Sequence, residues 1–327
     1  MMKIGITIQA SAIAMVLASA ALAATDPQVA GTTQMTPLMK PTPMAISALR
    51  AAAQARTEPA AVPVELPALS VQQIVDRNTT ARGGLQAWQR VSSMSLSGKL
   101  DAGRTRADGG ALTVVSKEER ARTKAEIRKA VQEGKPIANA QKVIQLPFLM
   151  DLKRPVKTRL EIPFQGQTAV QVYDGMNGWK LRPFLGRHEV EPFTQDELKS
   201  AASQQELDGP LFNYAAKGTT VALEGGELVD GRGAYKLKLS LKDGDVRHLW
   251  IDAQTFLEVK IDSAPRHMDG KLRNVVTYMR DYKPVDGLQI AHQLETAVEG
   301  EPGTQRILIE KVALNPMLGD SHFARPQ

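Results

Sequence analysis

The chain has 327 residues, 43% of them apolar and 23% charged, with 41 basic against 35 acidic side chains. These fractions are ordinary for a globular protein and exclude wholesale disorder, a collagen-like fibre and a polytopic membrane protein. Cysteine is absent, which excludes a disulfide scaffold, thiolate metal sites, a catalytic thiol and a lipid-modified N-terminal cysteine.

The first element is an address. Lys3 precedes an uncharged, mostly apolar run from Ile4 to Leu22 that closes on Ala21-Leu22-Ala23. A basic start, an apolar centre and a small-x-small end predict an export signal cleaved after Ala23, and hence a periplasmic protein. Thr7, Gln9 and Ser11 make the run a poor permanent span, and no other stretch approaches the ~18 apolar residues a membrane helix needs. Residues 24–69 are rich in Ala and Pro, as in Met35-Thr36-Pro37-Leu38-Met39-Lys40-Pro41-Thr42-Pro43. Repeated proline opposes helix and sheet alike, so this segment reads as a flexible linker. Residues 70–327 remain for a single large, mainly β domain with its own core.

That domain opens with helix signals. Ser70 and Gln73 form a capping box, with Leu69 and Ile74 spaced as its hydrophobic staple. The helix is expected to run to about Ala81 and stop at Gly83-Gly84, with Leu85, Trp88 and Val91 on a second short helical piece. Strand patterns then dominate. Tyr235, Leu237, Leu239 and Leu241 alternate with polar residues, as do Leu257, Val259 and Ile261, and Leu288, Ile290, His292 and Leu294. Period-two alternation gives each strand one dry and one wet face. Turn pairs such as Asp174-Gly175, Asp230-Gly231, Asp243-Gly244, Asp269-Gly270 and Asp286-Gly287 mark an antiparallel meander. A one-sided sheet of roughly ten strands must close into a barrel or curl around helices and a ligand. One helix interrupts the strands: Thr194 and Glu197 make a second capping box, Phe193 and Leu198 its staple, and Asp208-Gly209-Pro210 its stop. Leu198, Ala201, Ala202 and Leu207 give it a narrow apolar stripe, suited either to plugging the open face of the sheet or to a plain connection.

Residues 104–142 carry ten basic and five acidic side chains. The mature chain loses only Lys3 from its 41 bases and keeps all 35 acids, a net charge of +5, so the whole imbalance sits in this insert. Ser116–Gln132 has helical character with few apolar residues. Arg120, Lys124, Arg128 and Lys129 are its candidate contacts with an anionic membrane surface or an acidic envelope protein; a solvated polar excursion is the plainer reading. Export and the lack of interleaved aromatics argue against nucleic acid.

No catalytic signature is present. The five histidines, His188, His248, His267, His292 and His322, show no metal-ligand spacing, and no nucleophile elbow, phosphate loop or dinucleotide fingerprint occurs. His188 falls in an expected loop. His292 falls on the dry side of its strand, as a satisfied core histidine would. A hydrolase would require His188, His248 or His292 to meet an acid and a nucleophile in one cleft. The expectation is a protein that is not an enzyme and uses no cofactor or metal.

A string of motifs carries a family resemblance: Ile74-Val75-Asp76-Arg77-Asn78, Gly83-Gly84-Leu85-Gln86-Ala87-Trp88, Met94-Ser95-Leu96-Ser97-Gly98, Lys153-Arg154-Pro155-Val156-Lys157-Thr158-Arg159, Tyr173-Asp174-Gly175-Met176-Asn177-Gly178-Trp179, and Asp230 to Leu237. In this order, over residues 70–325, the chain resembles the outer-membrane lipoprotein-sorting family, relatives of the periplasmic carriers LolA and LolB. The resemblance implies a mainly β (α+β) fold, an unclosed antiparallel β-barrel of about eleven strands with helices covering the open face. It also implies a carrier that holds acyl chains between sheet and helices. The insert and the long linker depart from the carriers proper.

Candidate lining residues follow from the strand and helix pattern alone: Leu160, Val170, Val172, Trp179, Leu181, Phe184, Leu198, Leu211 and Phe212. The same residues fit an ordinary core filling the gap between sheet and helix. Two functions are therefore expected: a periplasmic, non-enzymatic binder of acyl chains of lipoproteins or lipids, or an envelope scaffold or stress sensor whose filled fold acts through protein contacts.

Overall fold

The computed structural model describes residues 63–105, 142–183, 187–202, 207–268, 271–299 and 304–327. The export signal, most of the linker, Phe184 and residues 106–141 of the basic insert, with Arg120, Lys124, Arg128 and Lys129, lie outside the described residues.

Both capping boxes form, the second with Thr194 Oγ1 accepting the Glu197 amide at 3.2 Å and Glu197 accepting the Thr194 amide at 2.7 Å. In α1 (Val71–Ala81) the Ser70 hydroxyl accepts the Gln73 amide, and the Gln73 side chain accepts the Ser70 amide at 2.8 Å. The helix stops at Gly83 and Gly84, whose φ values of 104° and 91° suit glycine best. At Gly83 a Cβ would also lie 2.3 Å from the Gly287 carbonyl. The short α2 (Leu85–Gln89) follows.

Thirteen strands then build one antiparallel sheet. In chain order they are β1 (Ser93–Thr105), β2 (Lys142–Lys153), β3 (Lys157–Phe164), β4 (Gln167–Tyr173), β5 (Gly178–Arg182), β6 (Arg187–Pro192), β7 (Thr220–Val229), β8 (Arg232–Ser240), β9 (Val246–Asp252), β10 (Glu258–Met268), β11 (Lys271–Val285), β12 (Leu288–Val298) and β13 (Thr304–Leu314). Each strand pairs with its chain neighbour except across the β6–β7 step, and β1 also pairs with β13. The edges are thus β6 and β7, and the sheet opens in the middle of the chain. Helix α3 (Gln195–Ala202) and residues 207–219 lead from one edge to the other.

Among the described residues the strands number thirteen rather than about eleven. Strand β6 escapes the periodicity because Arg187-His188-Glu189-Val190-Glu191-Pro192 has no apolar alternation; its pairing with β5, Trp179 opposite Pro192, makes it a strand. His188, expected in a loop, is an exposed residue of that strand.

One core cluster spans both halves of the sheet. Leu96, Met150 and Leu160 join Leu237, Leu249, Ile261 and Leu294, together with Ile74, Val75 and Trp88 from the helices. The sheet therefore curls around its helical cover, and this side is its inner face. The cover differs from expectation. Helix α3 does not plug the open face: it lies beside β5, where Glu197 pairs with the buried Lys180 at 2.6 Å and Phe193 packs on Gly178. An inward-facing lysine draws the acidic first turn of α3 to the rim. The inner face is instead covered by α1, α2 and Leu211-Phe212.

The ends of the domain are tied down. Residues at the close of the expected linker lie against β7 and β8: the Val64 amide donates to the Gly226 carbonyl at 3.1 Å, and Tyr235 donates to the Pro67 carbonyl. After β13 the chain crosses the outer face of β2–β4. Lys153 donates to the Leu318 carbonyl, Arg159 to the His322 carbonyl, and His322 meets Asp151 at 2.7 Å. This strap ends with Phe323 buried against Val170 and Val172.

Gly98 marks the tightest passage in the sheet. A Cβ there would stand 1.9 Å from the Leu308 carbonyl, so Gly98→Ala must push β1 from β13. A loss of about 1–3 kcal/mol in unfolding free energy is expected, read as a lower urea midpoint at unchanged slope.

Candidate ligand-binding site

The site is the inner face and its cover. Asn78 on α1 is fully buried and donates to the Phe256 carbonyl at 2.8 Å. Phe256 sits in the β9–β10 turn with φ 58°, and its ring stacks on Tyr235. Asp252 organises that turn: it accepts the Gln254 and Thr255 amides and the Thr255 hydroxyl, and it pairs with Arg232. Burial alone would raise the Asp252 carboxyl, but these donors outweigh it and hold the group below its ordinary value of 3.8.

Arg82, the C-cap of α1, ties the cover together. Its guanidinium lies over the rings of Trp88 and Phe212, at 4.5 and 5.0 Å. It donates to the Asp208 carbonyl at 2.6 Å and meets Glu258 of β10 at 3.3 Å. Its own carbonyl accepts Trp88 Nε1 and the Gln289 amide. The Asp208 carboxylate, also buried, pairs with Arg154 and Lys217. Tyr282 donates to the Glu258 carbonyl, and burial pushes its phenol well above the usual tyrosine range. One buried network thus joins α1, α2, the 207–218 crossover and β10. Such pairs fix geometry more than they add net stability.

The candidate lining residues divide between two faces. Leu160, Leu211 and Phe212 stand in the inner core, packed with the cover. Leu198 is half-buried on α3 at the rim. Val170, Val172, Trp179 and Leu181 pack together on the outer face, beneath Leu318 and Phe323 of the strap. Strand register explains the division: Leu160 lies opposite Gln171, so Val170 and Val172 point the other way, and Trp179 and Leu181 lie opposite them.

His248 and His292 lie on opposite faces of the sheet. His248, on the outer face, has Nδ1 at 2.6 Å from Asp262 and Nε2 at 3.3 Å from Glu224, so both ring nitrogens face carboxylates. His292 is buried and its Nδ1 lies 2.9 Å from the Ile290 carbonyl. Among the described residues no group of His, Asp and Glu is arranged to hold a metal ion, and no helix is long and apolar enough to cross a membrane. The network of Arg82, Asp208 and Glu258 was not singled out in the sequence. Its signal is faint: Glu258 is one charge in an alternating strand, and Arg82 one base before a glycine pair.

This architecture is an unclosed antiparallel half-barrel wrapped around a short helical cover. It is similar to a LolA superfamily protein from Nitrosomonas europaea, at 12% identity, a TM-score of 0.46, and coverage of 79% of this chain and 99% of the other. It is also similar to a DUF1329 family protein from Desulfovibrio piger, at 15% identity, a TM-score of 0.45, and coverage of 78% and 97%. A third similar structure is an outer membrane lipoprotein-sorting protein domain from Vibrio parahaemolyticus, at 10% identity, a TM-score of 0.43, and coverage of 77% and 94%. No protein-family model and no curated protein matches the sequence.

Removing one partner of the Arg82–Glu258 pair leaves the other buried and uncompensated. Arg82→Met is expected to cost about 3–5 kcal/mol, and Arg82→Met with Glu258→Leu to recover most of it, both read from urea unfolding. Asp252 sets a pH dependence. Its carboxyl is depressed in the folded state, so its contribution is present above 3.8 and lost as pH falls through its lower folded value. Asp252→Asn should flatten that acid limb of the melting temperature, followed from pH 6 to pH 2.5.

Proposed function

We propose that the chain is an exported, periplasmic, non-enzymatic binding protein for a hydrophobic ligand, the acyl chains of lipoproteins or lipids. The observation that carries this reading is the seam. The sheet's apolar inner face opens between two edge strands that do not pair with each other, and short helices and a crossover loop cover it rather than a second sheet. On β7, Leu223 faces inward opposite Leu237 yet remains 38% exposed, so the apolar face reaches solvent at the seam. Each methylene hidden there is worth ~0.8 kcal/mol, and a cover held at a few polar points can part without unravelling the sheet. Contact of the 104–142 insert with an anionic membrane surface belongs to the same reading, as does a place in outer-membrane lipoprotein sorting.

A scaffold reading rests on a different observation. Ile74, Trp88, Leu211 and Phe212 are almost wholly buried on the inner face, as in a fold that fills its own interior and acts through protein contacts. One experiment separates the two. The exported chain is recovered without detergent, its native mass is recorded, and bound material is extracted into organic solvent. The carrier reading expects added mass that resolves as acyl species, and a change in tryptophan emission when the stripped protein takes up a fatty acid. A bare mass and no uptake would count for the scaffold.

A further inference from the structure

Arg247 is a charge in the wrong phase of its strand. In β9 it shares a side with Leu249 and Ile251, and it lies opposite Leu239 of β8. Those three leucines and isoleucines belong to the inner core, so Arg247 faces inward with them, while His248 and Trp250 face outward. Its side chain is 1% exposed, among the most buried in the domain. A cation of this kind normally brings its counter-charge with it.

Here the counter-charge is incomplete. Nη2 meets Asp245 at 3.0 Å, at the start of the strand beside the β8–β9 turn. Nε and Nη1 are buried and, among the described residues, have no acceptor. Burial pulls the guanidinium below its ordinary range, and the nearby carboxylates of Asp245, Asp243 and Asp262 do not offset it. Asp245 itself is 36% exposed, so the partner it does have is shared with solvent. Unmatched donors on a buried guanidinium are costly, and the group that best matches a guanidinium is a carboxylate or a phosphate.

We infer that Arg247 is the anion-recognition residue of the inner face, receiving the charged oxygen group at the end of an acyl chain. The ligand class is then an anionic amphiphile, a long-chain carboxylate or phosphate: the chain lies along the inner leucines and the head reaches Nε and Nη1 near the rim set by Asp245. The inference rests on the acyl-binding reading and narrows its ligand.

The test uses the exported chain with three probes of one length: hexadecanoate, hexadecyl phosphate and hexadecanol. Hexadecanoate or hexadecyl phosphate is expected to bind at least tenfold more tightly than hexadecanol, and whichever does so identifies the head group. Arg247→Met removes the unmatched charge at similar volume; it should abolish that preference and leave hexadecanol binding unchanged, which also reports a folded inner face. With carboxyl-labelled hexadecanoate, the bound carbon should keep its ionised chemical shift at a pH where the protein-bound form in Arg247→Met is protonated. Equal binding of all three probes, or a preference that survives in Arg247→Met, overturns the assignment and leaves the acyl reading standing. Binding of none overturns both.

Discussion

A wide antiparallel sheet with one dry face has to hide that face from water, and the rest of this structure answers to that constraint. Closing into a barrel would bury it at once. Here β6 and β7 do not pair with each other, so the chain supplies a cover small enough to lie inside the curl. Two short helices before β1 and a loop after α3 meet over the inner face. Helices spend their backbone groups on their own turns, so apart from the Gln289 amide on the Arg82 carbonyl it is side chains that hold them to the sheet.

Those side chains explain why charge is found so deep. Asn78 reaches a carbonyl in the β9–β10 turn, and Arg82 reaches a carbonyl in the crossover and a carboxylate on β10. Each bond joins elements far apart in sequence. Polar contacts of this kind are directional where apolar burial is not, so they set where the cover sits while the leucines around them supply the burial. Arg247 differs in degree: among the described residues Arg82 leaves Nε alone without an acceptor, whereas Arg247 leaves both Nε and Nη1.

The outer face follows different rules. On β8–β10 the lysines of the wet phase lie against Trp250, with Lys260 Nζ 4.5 Å and Lys236 Nζ 5.4 Å from its ring, and Trp250 Nε1 donates to Glu227. Long charged side chains can cover an aromatic and keep their heads in water. On β3–β5 the outer face is apolar instead, and the strap ending at Phe323 covers it. Val170, Val172, Trp179 and Leu181 are therefore hidden by the segment that follows β13.

Local chemistry was written plainly in the sequence. Both capping boxes, the glycine stop after α1 and the meander of alternating strands depend on residues within a few positions of each other, and such contacts form without reference to the rest of the chain. The alternation also showed which residues share a side of one strand. Only the tertiary structure decided which side of each strand is the inside, because that depends on register between strands: Leu160 and Val170 look equally apolar in sequence and end on opposite faces. It also decided that β6 is a strand, that α3 stays at the rim, and that Arg82, Asp208 and Glu258 meet, since those contacts span more than a hundred residues and no local pattern encodes them.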